Sequence, residues 1–519
     1  MATVGEQKLR LSPARWVGVR LRALRPAQAL ALLIVGYVLV LTAGMAFKYA
    51  LWGQGFDHVD YEQAIWNTTQ GRPFEISRYN FTHSILGMDF MPGLLFAVPF
   101  YAIWPSAYML DLLQSTLLAL GAIPVYLIAR DHFARTISPE QAQLAGLGWA
   151  ATYLLYPTLQ FVNMTPPWQP RTLAILLLLW AFRFFQQQRP LAFFLALLAA
   201  ITTRTDVSLV VCAFGLYALL SRRSWRWFLP PLALGLVWFY LSIAILTPSF
   251  YDPGYKPDVG AVNIDPNATY SWPGPSAQVG YYSHLGKDPL DIVKNILTHP
   301  REVAILIFTP EKMLYLFLMF ATLLFLPLLA PKELLLTAPI FALNLLSTRI
   351  YQYTIKEQYQ ALIIPGIVIA GIFGSARLWR WLELRRPGLG RWLPQALLAQ
   401  ILLLGAINIA VHNPVVVAFR HHESPARVAL MEQMAARIPR DASVAATSFL
   451  APRLLPRQHL YYLPPGPMHP PVETADYAFI DTRAAVLEDK DLLQKLRADP
   501  RWEVVAEQDD LLLLHQRGR

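Results

Sequence analysis

The 519-residue chain has a single cysteine, Cys212, which excludes an intrachain disulfide framework and a thiolate metal cluster. Charged residues are also scarce: they make up 15% of the chain, against roughly a quarter in soluble globular proteins. Apolar residues account for 55% instead. This composition excludes collagen-like, disordered and disulfide-rich classes and indicates an integral membrane protein.

Several catalytic and nucleotide-binding motifs are absent as well. The sequence has no Walker-type loop, no Gly-x-Ser-x-Gly elbow and no dinucleotide fingerprint, so neither an ATP-driven pump nor an α/β-hydrolase is supported. His58, His83 and His284 lack a metal-ligand spacing such as His-Glu-x-x-His, and the sequence predicts no metal site built on them. A divalent cation, Mg²⁺ or Mn²⁺, bound by carboxylate oxygens stays open.

Long apolar runs are the dominant feature that is present. Residues 27–50 form a run longer than the roughly 20 residues that cross a bilayer, and without a clear cleavage site they predict a retained span rather than a signal peptide. We expect a mainly α, polytopic protein with about eleven transmembrane helices. Their predicted positions are 27–50, 106–128, 143–162, 171–185, 190–202, 207–220, 228–247, 310–329, 333–347, 360–376 and 393–412.

The basic excess of the chain predicts the orientation of this multi-span domain, 27–412. Lys and Arg outnumber Asp and Glu by 44 to 34, a formal charge of +10, and they concentrate in residues 1–26, in Arg222, Arg223 and Arg226, and in 377–391. By the positive-inside rule these segments are cytoplasmic, on the plasma membrane, with anionic lipid rather than nucleic acid as their partner. An odd number of spans places the C-terminus outside.

The chain changes character after the last span. Residues 413–519 predict an extracytoplasmic α/β domain of about 100 residues, large enough for a core of its own. Helices are predicted over 427–438 and 487–497, and strands over 443–447, 459–463, 477–481, 502–506 and 511–515.

Two outer loops, 51–105 and 248–301, are long enough to serve as lids or sites. The first includes an apolar segment, Phe90 to Trp104, that is too short to span and predicts an interfacial or re-entrant helix. It also carries Asp57, Asp60 and Glu62, followed by Gln63, with Asp89 further on. Such carboxylates take a proton from a hydroxyl or bind a cation, but acids at a helix start are equally expected on structural grounds alone.

Two further groups of charged residues could bind phosphate. Arg204 and Asp206 lie between two short apolar segments. They either form an ion pair with each other, or Arg204 binds a phosphate and Asp206 orients the Arg204 side chain. The later segment 347–360 carries Arg349, Lys356 and Tyr359, which either anchor the chain at the membrane interface or contact a lipid phosphate or sugar ring.

The order of several short motifs resembles a prokaryotic family of predicted membrane proteins, domain of unknown function two-zero-seven-nine. The motifs are Phe56-Asp57, Gln63-Ala64-Ile65-Trp66-Asn67, Gly71-Arg72-Pro73-Phe74, Pro92 to Pro99-Phe100-Tyr101, Leu113-Gln114, Ala122-Ile123-Pro124-Val125-Tyr126, Gln358-Tyr359 to Pro365, and Ala475-Asp476-Tyr477 to Asp481. The resemblance covers nearly the whole chain.

That family looks related to the GT-C class of glycosyltransferases, which use polyprenyl-phosphate-linked sugars on the outer face. The resemblance implies that Asp57 is the catalytic base and Glu62 a second acid. Arg204 and Asp206 align with a Lys-Glu-Asp run, whose middle Glu is Thr205 here. Asp89 and Gln358 stand where the family has His, which puts in doubt any metal site or donor contact that depends on those groups.

The sequence therefore favours an outer-face glycosyltransferase that moves a sugar from a polyprenyl phosphate to an acceptor hydroxyl with inversion. Asp57 and Glu62 are its candidate catalytic residues. Arg204, Lys356 and Arg349 are the candidate phosphate ligands, and the supporting residues are Asp60, Asp89, Asp206, Gln63 and Tyr359. A lipid or polysaccharide transporter and a non-catalytic assembly factor are the alternatives; the lack of internal repeats speaks against the first.

Overall fold

A computed structural model describes residues 25–164, 168–253, 282, 284–286, 289–410, 413–420, 423–465, 468–484 and 490–518. Residues 1–24 of the basic N-terminus, which was predicted at 1–26, and much of the second outer loop, 248–301, lie outside the described residues.

Helices form nearly all of the first half of the chain. Proline starts many of them, since its fixed φ suits the first helical turn while it breaks a preceding helix. They are α1 Pro26–Ala50, α2 Asp57–Thr69, α3 Val98–Ile103 after a 3₁₀ turn at Pro92–Ala97, α4 Ala107–Leu120, α5 Ala122–Phe133, α6 Pro139–Leu155, α7 Pro157–Met164, α8 Pro170–Gln186, α9 Pro190–Ile201, α10 Val207–Leu220 and α11 Trp225–Leu241.

The second half continues in shorter helices up to the C-terminal domain. They are α12 Pro289–Thr298, α13 Pro300–Ile307, α14 Pro310–Ala321, α15 Pro331–Leu334, α16 Ala338–Leu346, α17 Ile364–Arg385, α18 Leu393–Ala410 and α19 Pro414–Arg420, with a 3₁₀ segment at Gln358–Ile363 before α17. Each predicted span coincides with one or more of these helices, and the re-entrant segment is helical over Pro92–Ile103.

The count of about eleven spans is not confirmed. Among the described residues, four helical segments are long and apolar enough to cross a membrane: Pro26–Ala50, Ala107–Phe133, Trp225–Phe250 and Gln358–Arg385. A fifth arises only if α13 and α14, which meet at 64°, form one broken span. Proline is the main reason for the difference, because it divides several apolar runs into helices shorter than the roughly 20 residues of a full crossing.

The helices share one large apolar core. Its buried members come from α1, α4 to α10, α14 and α16 to α18, and the largest fully buried side chains among them include Trp149, Tyr153 and Phe182. Small residues allow close approach within it: a Cβ added at Gly374 would lie 1.8 Å from the carbonyl oxygen of Leu326. The core therefore holds α17 tightly against the segment that follows α14.

The C-terminal domain confirms the predicted order of elements. It comprises α20 Pro425–Ala435, β1 Val444–Thr447, β2 Leu460–Leu463, β3 Tyr477–Asp481, α21 Lys490–Ala498, β4 Trp502–Gln508 and β5 Leu511–Gln516. The strand order is β2-β1-β3-β5-β4, parallel from β2 to β3 and antiparallel thereafter. One face of the sheet has a core formed within the domain, and Trp52, Phe56 and Val59 of the first outer loop complete the cluster on the other face.

Candidate functional site

A cavity of about 270 Å³ lies where α8, α10, α11, α12 and α16 approach one another. Most of its wall is apolar, formed among others by Leu209, Phe239, Ile243, Ile292, Ile296 and Leu343. Tyr282 and α12 belong to the second outer loop, and they contribute to this lining. The prediction that this loop covers the site stays a prediction, since much of the loop lies outside the described residues.

The polar end of the cavity is built around two arginines and one carboxylate. Arg171 Nη2 donates to Asp206 Oδ2 at 3.1 Å, and Arg204 Nε lies 3.3 Å from the same oxygen. The guanidinium of Arg171 also stacks 5.2 Å from the ring centre of Tyr359. Both alternatives for Arg204 and Asp206, a mutual ion pair and a phosphate-binding site, stay open, because the two residues form an ion pair and both line a cavity.

Asp89 joins this end from the first outer loop. Its Oδ2 lies 3.0 Å from Arg204 Nε, and its Oδ1 accepts hydrogen bonds from the Thr205 hydroxyl at 2.5 Å and the Thr205 N–H at 3.3 Å. Asp89 is 3% exposed, so its charge depends on these partners. Asp89 and Thr205, two of the three positions at which the resemblance implies a different residue, are therefore in direct contact.

The other two predicted phosphate ligands lie further from the cavity. The guanidinium of Arg349 is 5.9 Å from the ring centre of Tyr359, which places it beside Arg171 on the same tyrosine. Lys356 is exposed. Neither residue lines the cavity, while Tyr359 does, so this segment contributes its tyrosine most directly.

Asp57 begins α2 and faces outward. Its side chain is 63% exposed, and its Oδ1 lies 3.1 Å from Arg78 Nη1, which also contacts Asp60 Oδ2 at 2.7 Å. Burial raises the pKa of Asp60 to about 6 although Arg78 opposes the shift, and Asp57 adds to the increase. Asp57 is thus held by one arginine but keeps most of its surface free.

Asp57 does not line the cavity, yet two neighbours connect it to the arginine end. Burial raises the pKa of Tyr61 to about 12, while Arg204 and Arg171 lower this pKa and Asp57 raises it, so Tyr61 lies within electrostatic range of all three. Burial likewise raises the pKa of Glu357 to about 7, with Asp57 adding to the increase. Tyr61 thus senses the charges of Asp57 and of both arginines, although Asp57 lies outside the cavity lining.

Glu62 points away from the cavity into a buried cluster. It is 2% exposed, its Oε2 lies 2.5 Å from His58 Nε2, and its Oε1 accepts from the Tyr101 hydroxyl at 2.8 Å. The His58 ring stacks on Tyr49 at 5.3 Å. Glu62 thus belongs to a buried cluster with His58, Tyr49 and Tyr101, while Asp57 is exposed.

Gln63 joins α2 to the C-terminal domain. Its Nε2 donates to the carbonyl oxygen of Gln458 at 2.7 Å and to Ser77 Oγ at 2.9 Å, and its Oε1 accepts from the Ser77 N–H at 3.1 Å. The side chain is fully buried. The structure thus does not bring Gln63 to the cavity.

Replacing Gln63 with Leu should destabilise the protein. The change leaves a buried carbonyl and the Ser77 N–H without partners, at roughly 1–3 kcal/mol each, so we expect a lower midpoint of thermal unfolding. Gln70→Leu, at the exposed end of the same helix, is the matched control and should unfold at the wild-type temperature. Equal midpoints for the two variants would contradict this role of Gln63.

Sequence reasoning missed Arg171 and Arg78. Arg171 stands at the boundary of a predicted span, where a charged residue is expected to flank the membrane. An arginine at the start of an apolar run was nevertheless a usable signal, because charged residues at membrane depth are rare and mark functional sites. Arg78 had no local signal, because its partners come from α2 and from the C-terminal domain.

Among the residues that the structure describes, no group of three or more His, Cys, Asp or Glu side chains could hold a metal ion.

The sequence matches, over residues 48–513, the family described as "Predicted membrane protein (DUF2079)". No curated protein matches it. Among solved structures, ArnT from Cupriavidus metallidurans in the apo state has a TM-score of 0.51 at 14% identity, with 94% of this chain and 98% of that chain covered. ArnT from the same organism bound to undecaprenyl phosphate has a TM-score of 0.49 at 13% identity, with 97% and 98% covered. At such low identity, the likeness to the apo structure shows a shared fold.

Proposed function

The chain belongs to the DUF2079 family of predicted membrane proteins, and from this premise we propose that it is a membrane glycosyltransferase. It transfers a sugar from a polyprenyl-phosphate donor to an acceptor hydroxyl. The observation that carries the proposal is the cavity, whose mostly apolar lining also includes Arg171 and Arg204. A lipid phosphate has this same division into an apolar chain and an anionic head, and guanidinium groups suit phosphate geometrically.

The charge balance at the polar end supports an anionic ligand. Arg171, Arg204 and Arg349 surround Tyr359 or line the cavity, whereas two carboxylates, Asp89 and Asp206, oppose them. Lys356 adds a further positive charge nearby in the chain. ArnT, which has this fold in its apo state, is found bound to undecaprenyl phosphate, a lipid of the same chemical kind.

In the proposed mechanism the arginines bind and neutralise the leaving phosphate. Asp57 accepts the proton of the acceptor hydroxyl as the hydroxyl oxygen attacks the anomeric carbon from the face opposite the phosphate, which inverts the configuration there. Fixed positive groups aimed at the developing charge and a defined approach of the two reactants supply most of the rate. Glu62, bonded to His58 and Tyr101, joins α2, which carries Asp57, to α3.

A divalent cation is not needed for this scheme, because the guanidinium groups already neutralise phosphate charge. If Mg²⁺ or Mn²⁺ takes part, Asp57 and Asp60, which share Arg78, are the carboxylates that offer oxygen ligands. Transfer that stops in EDTA and returns on addition of either ion would establish that role.

The orientation is part of the proposal. Basic segments such as Arg222 to Arg226 and 377–391 support a multi-pass plasma-membrane protein with the N-terminus inside, where anionic lipid is their partner. Asp57 and the C-terminal domain then face outward, on the side where a lipid-linked sugar would be used.

The direct test is sugar transfer by the purified protein in liposomes. A panel of polyprenyl-phosphate sugars is supplied with lipid and glycan acceptors, and release of free polyprenyl phosphate is followed together with product mass. We expect release with at least one donor, and a product whose anomeric configuration is opposite to that of the donor. No release with any donor, combined with donor movement between leaflets, would overturn the proposal in favour of a transporter; no release and no movement would favour a non-catalytic assembly factor.

A further inference from the structure

The start of α2, which carries Asp57, is built into the C-terminal domain. Trp52, Phe56 and Val59 are at most 3% exposed and share one apolar cluster with α20, β1 and β2. The rings of Phe56 and Tyr462 of β2 meet edge to face at 5.0 Å, and those of Trp52 and Phe479 of β3 at 6.5 Å. The sheet therefore packs against the residues immediately before Asp57.

A backbone hydrogen bond fixes the same point. The N–H of Phe56, the residue before α2, donates to Ser448 Oγ at 3.1 Å, and Ser448 directly follows β1. The first N–H groups of a helix have no partner inside the helix, and α2 has no side chain of its own that caps its start. Ser448 supplies a partner from nearly 400 residues further along the chain.

Arg78 connects the domain to the carboxylate itself. Its guanidinium lies 5.1 Å from the ring centre of Phe56 and 5.0 Å from that of Tyr462, and its Nη1 reaches Asp57 and Asp60. Tyr462 thus fixes the position of Arg78, and Arg78 fixes that of the Asp57 carboxylate.

We propose that the C-terminal domain is a positioning component of the site: Ser448 and Tyr462 hold the start of α2 and Arg78 so that the Asp57 carboxylate is aimed at the acceptor. This rests on the proposed function, in which Asp57 is the base. A displacement of roughly 1 Å is enough to cost about 100-fold in rate when reacting groups must be aligned. The domain then affects the rate of transfer without contacting the sugar.

The test uses full-length protein with Ser448→Ala, Tyr462→Leu and the double variant. We expect kcat for transfer to fall about tenfold in each single variant and more in the double variant, with KM for the donor within about twofold of wild type, because the cavity is untouched. Ser448→Thr keeps the hydroxyl and should retain wild-type kcat. Hydrogen exchange at the amides of residues 56–60 should accelerate in Ser448→Ala and Tyr462→Leu.

Tyr461→Leu is the matched control. Tyr461 is the neighbour on β2 but points to the opposite face of the sheet, into a separate cluster, so its loss weakens the domain without touching Phe56 or Arg78. An equal fall of kcat in Tyr461→Leu and Tyr462→Leu would overturn the proposal, since domain stability alone would explain it. So would unchanged kcat in the double variant.

Failure of the proposed function is distinguishable from failure of this inference. If the wild-type protein transfers no sugar, the proposed function fails, and hydrogen exchange alone then decides whether the domain orders the start of α2. Unchanged exchange at residues 56–60 in Ser448→Ala and Tyr462→Leu would overturn the positioning role even in an active enzyme.

Discussion

Asp57→Asn is expected to lower kcat for sugar transfer by about 10³-fold, because general-base catalysis typically contributes 10²–10⁴-fold. Asn has nearly the same shape as Asp and can still accept a hydrogen bond from Arg78, so the fold and the start of α2 should be preserved. Since Asp57 does not line the cavity, donor affinity should stay within about twofold of wild type. Single-turnover transfer measures the expected fall in rate, and a separate measurement of donor binding checks that the affinity is unchanged.

Glu140→Gln is the control for this change. Glu140 is an exposed acid in the first turn of α6, so the substitution removes one negative charge without touching the site, and kcat should not change. A wild-type rate in Asp57→Asn would remove Asp57 as the base. An equal fall of kcat in Glu140→Gln would show that a smaller fraction of correctly folded protein, rather than the loss of proton transfer, explains the lower rate.

Arg171→Lys and Arg204→Lys should weaken donor binding by about 30-fold each. Lysine keeps the positive charge that Asp206 and Asp89 need, which avoids the large cost of a buried unpaired carboxylate. It loses the planar fork that matches phosphate, and a charge-assisted hydrogen bond is worth roughly 1.5–3 kcal/mol. Binding of polyprenyl phosphate itself, titrated by intrinsic fluorescence or calorimetry in detergent, measures this without any acceptor.

Arg183→Lys provides the matched comparison. Arg183 is another buried arginine of α8, and it pairs with Asp131 rather than with the cavity residues. Its replacement makes the same chemical change in the same helix, so the affinity for polyprenyl phosphate should not move. If all three variants bind equally well, the arginine end of the cavity is not the phosphate site.

Arg204, Asp206 and Tyr359 at the arginine end of the cavity could be predicted because their signals are local, whereas Arg171 was missed. Arg204 and Asp206 interrupt two short apolar segments, and charges in such a place need a partner or a ligand. The aromatic and basic residues around Tyr359 have a similar local signal. Alternation of apolar and polar residues likewise predicted every strand of the C-terminal sheet to within two residues at its ends.

Contacts between distant parts of the chain could not be predicted. Gln63 and Glu62 stand within six residues of Asp57, yet one bonds to residues 457 and 458 and the other faces Tyr101. The spacing of residues along α2 predicts which side chains share a face of that helix, but it does not predict which part of the chain packs against each face. The lengths of the spans are hard to predict for another reason: hydropathy averages over windows, whereas proline ends a helix at a single residue.

The contact between Asp89 and Thr205 has a consequence for the evolution of the family. The resemblance places His and Glu at these two positions, and here they are replaced by an acid and a hydroxyl that share a 2.5 Å hydrogen bond. A change at one position alone would bring two acids together or leave a buried carboxylate or imidazole without its partner. We therefore expect the two positions to covary among relatives: those with His in place of Asp89 should carry Glu in place of Thr205, and intermediate combinations should be rare.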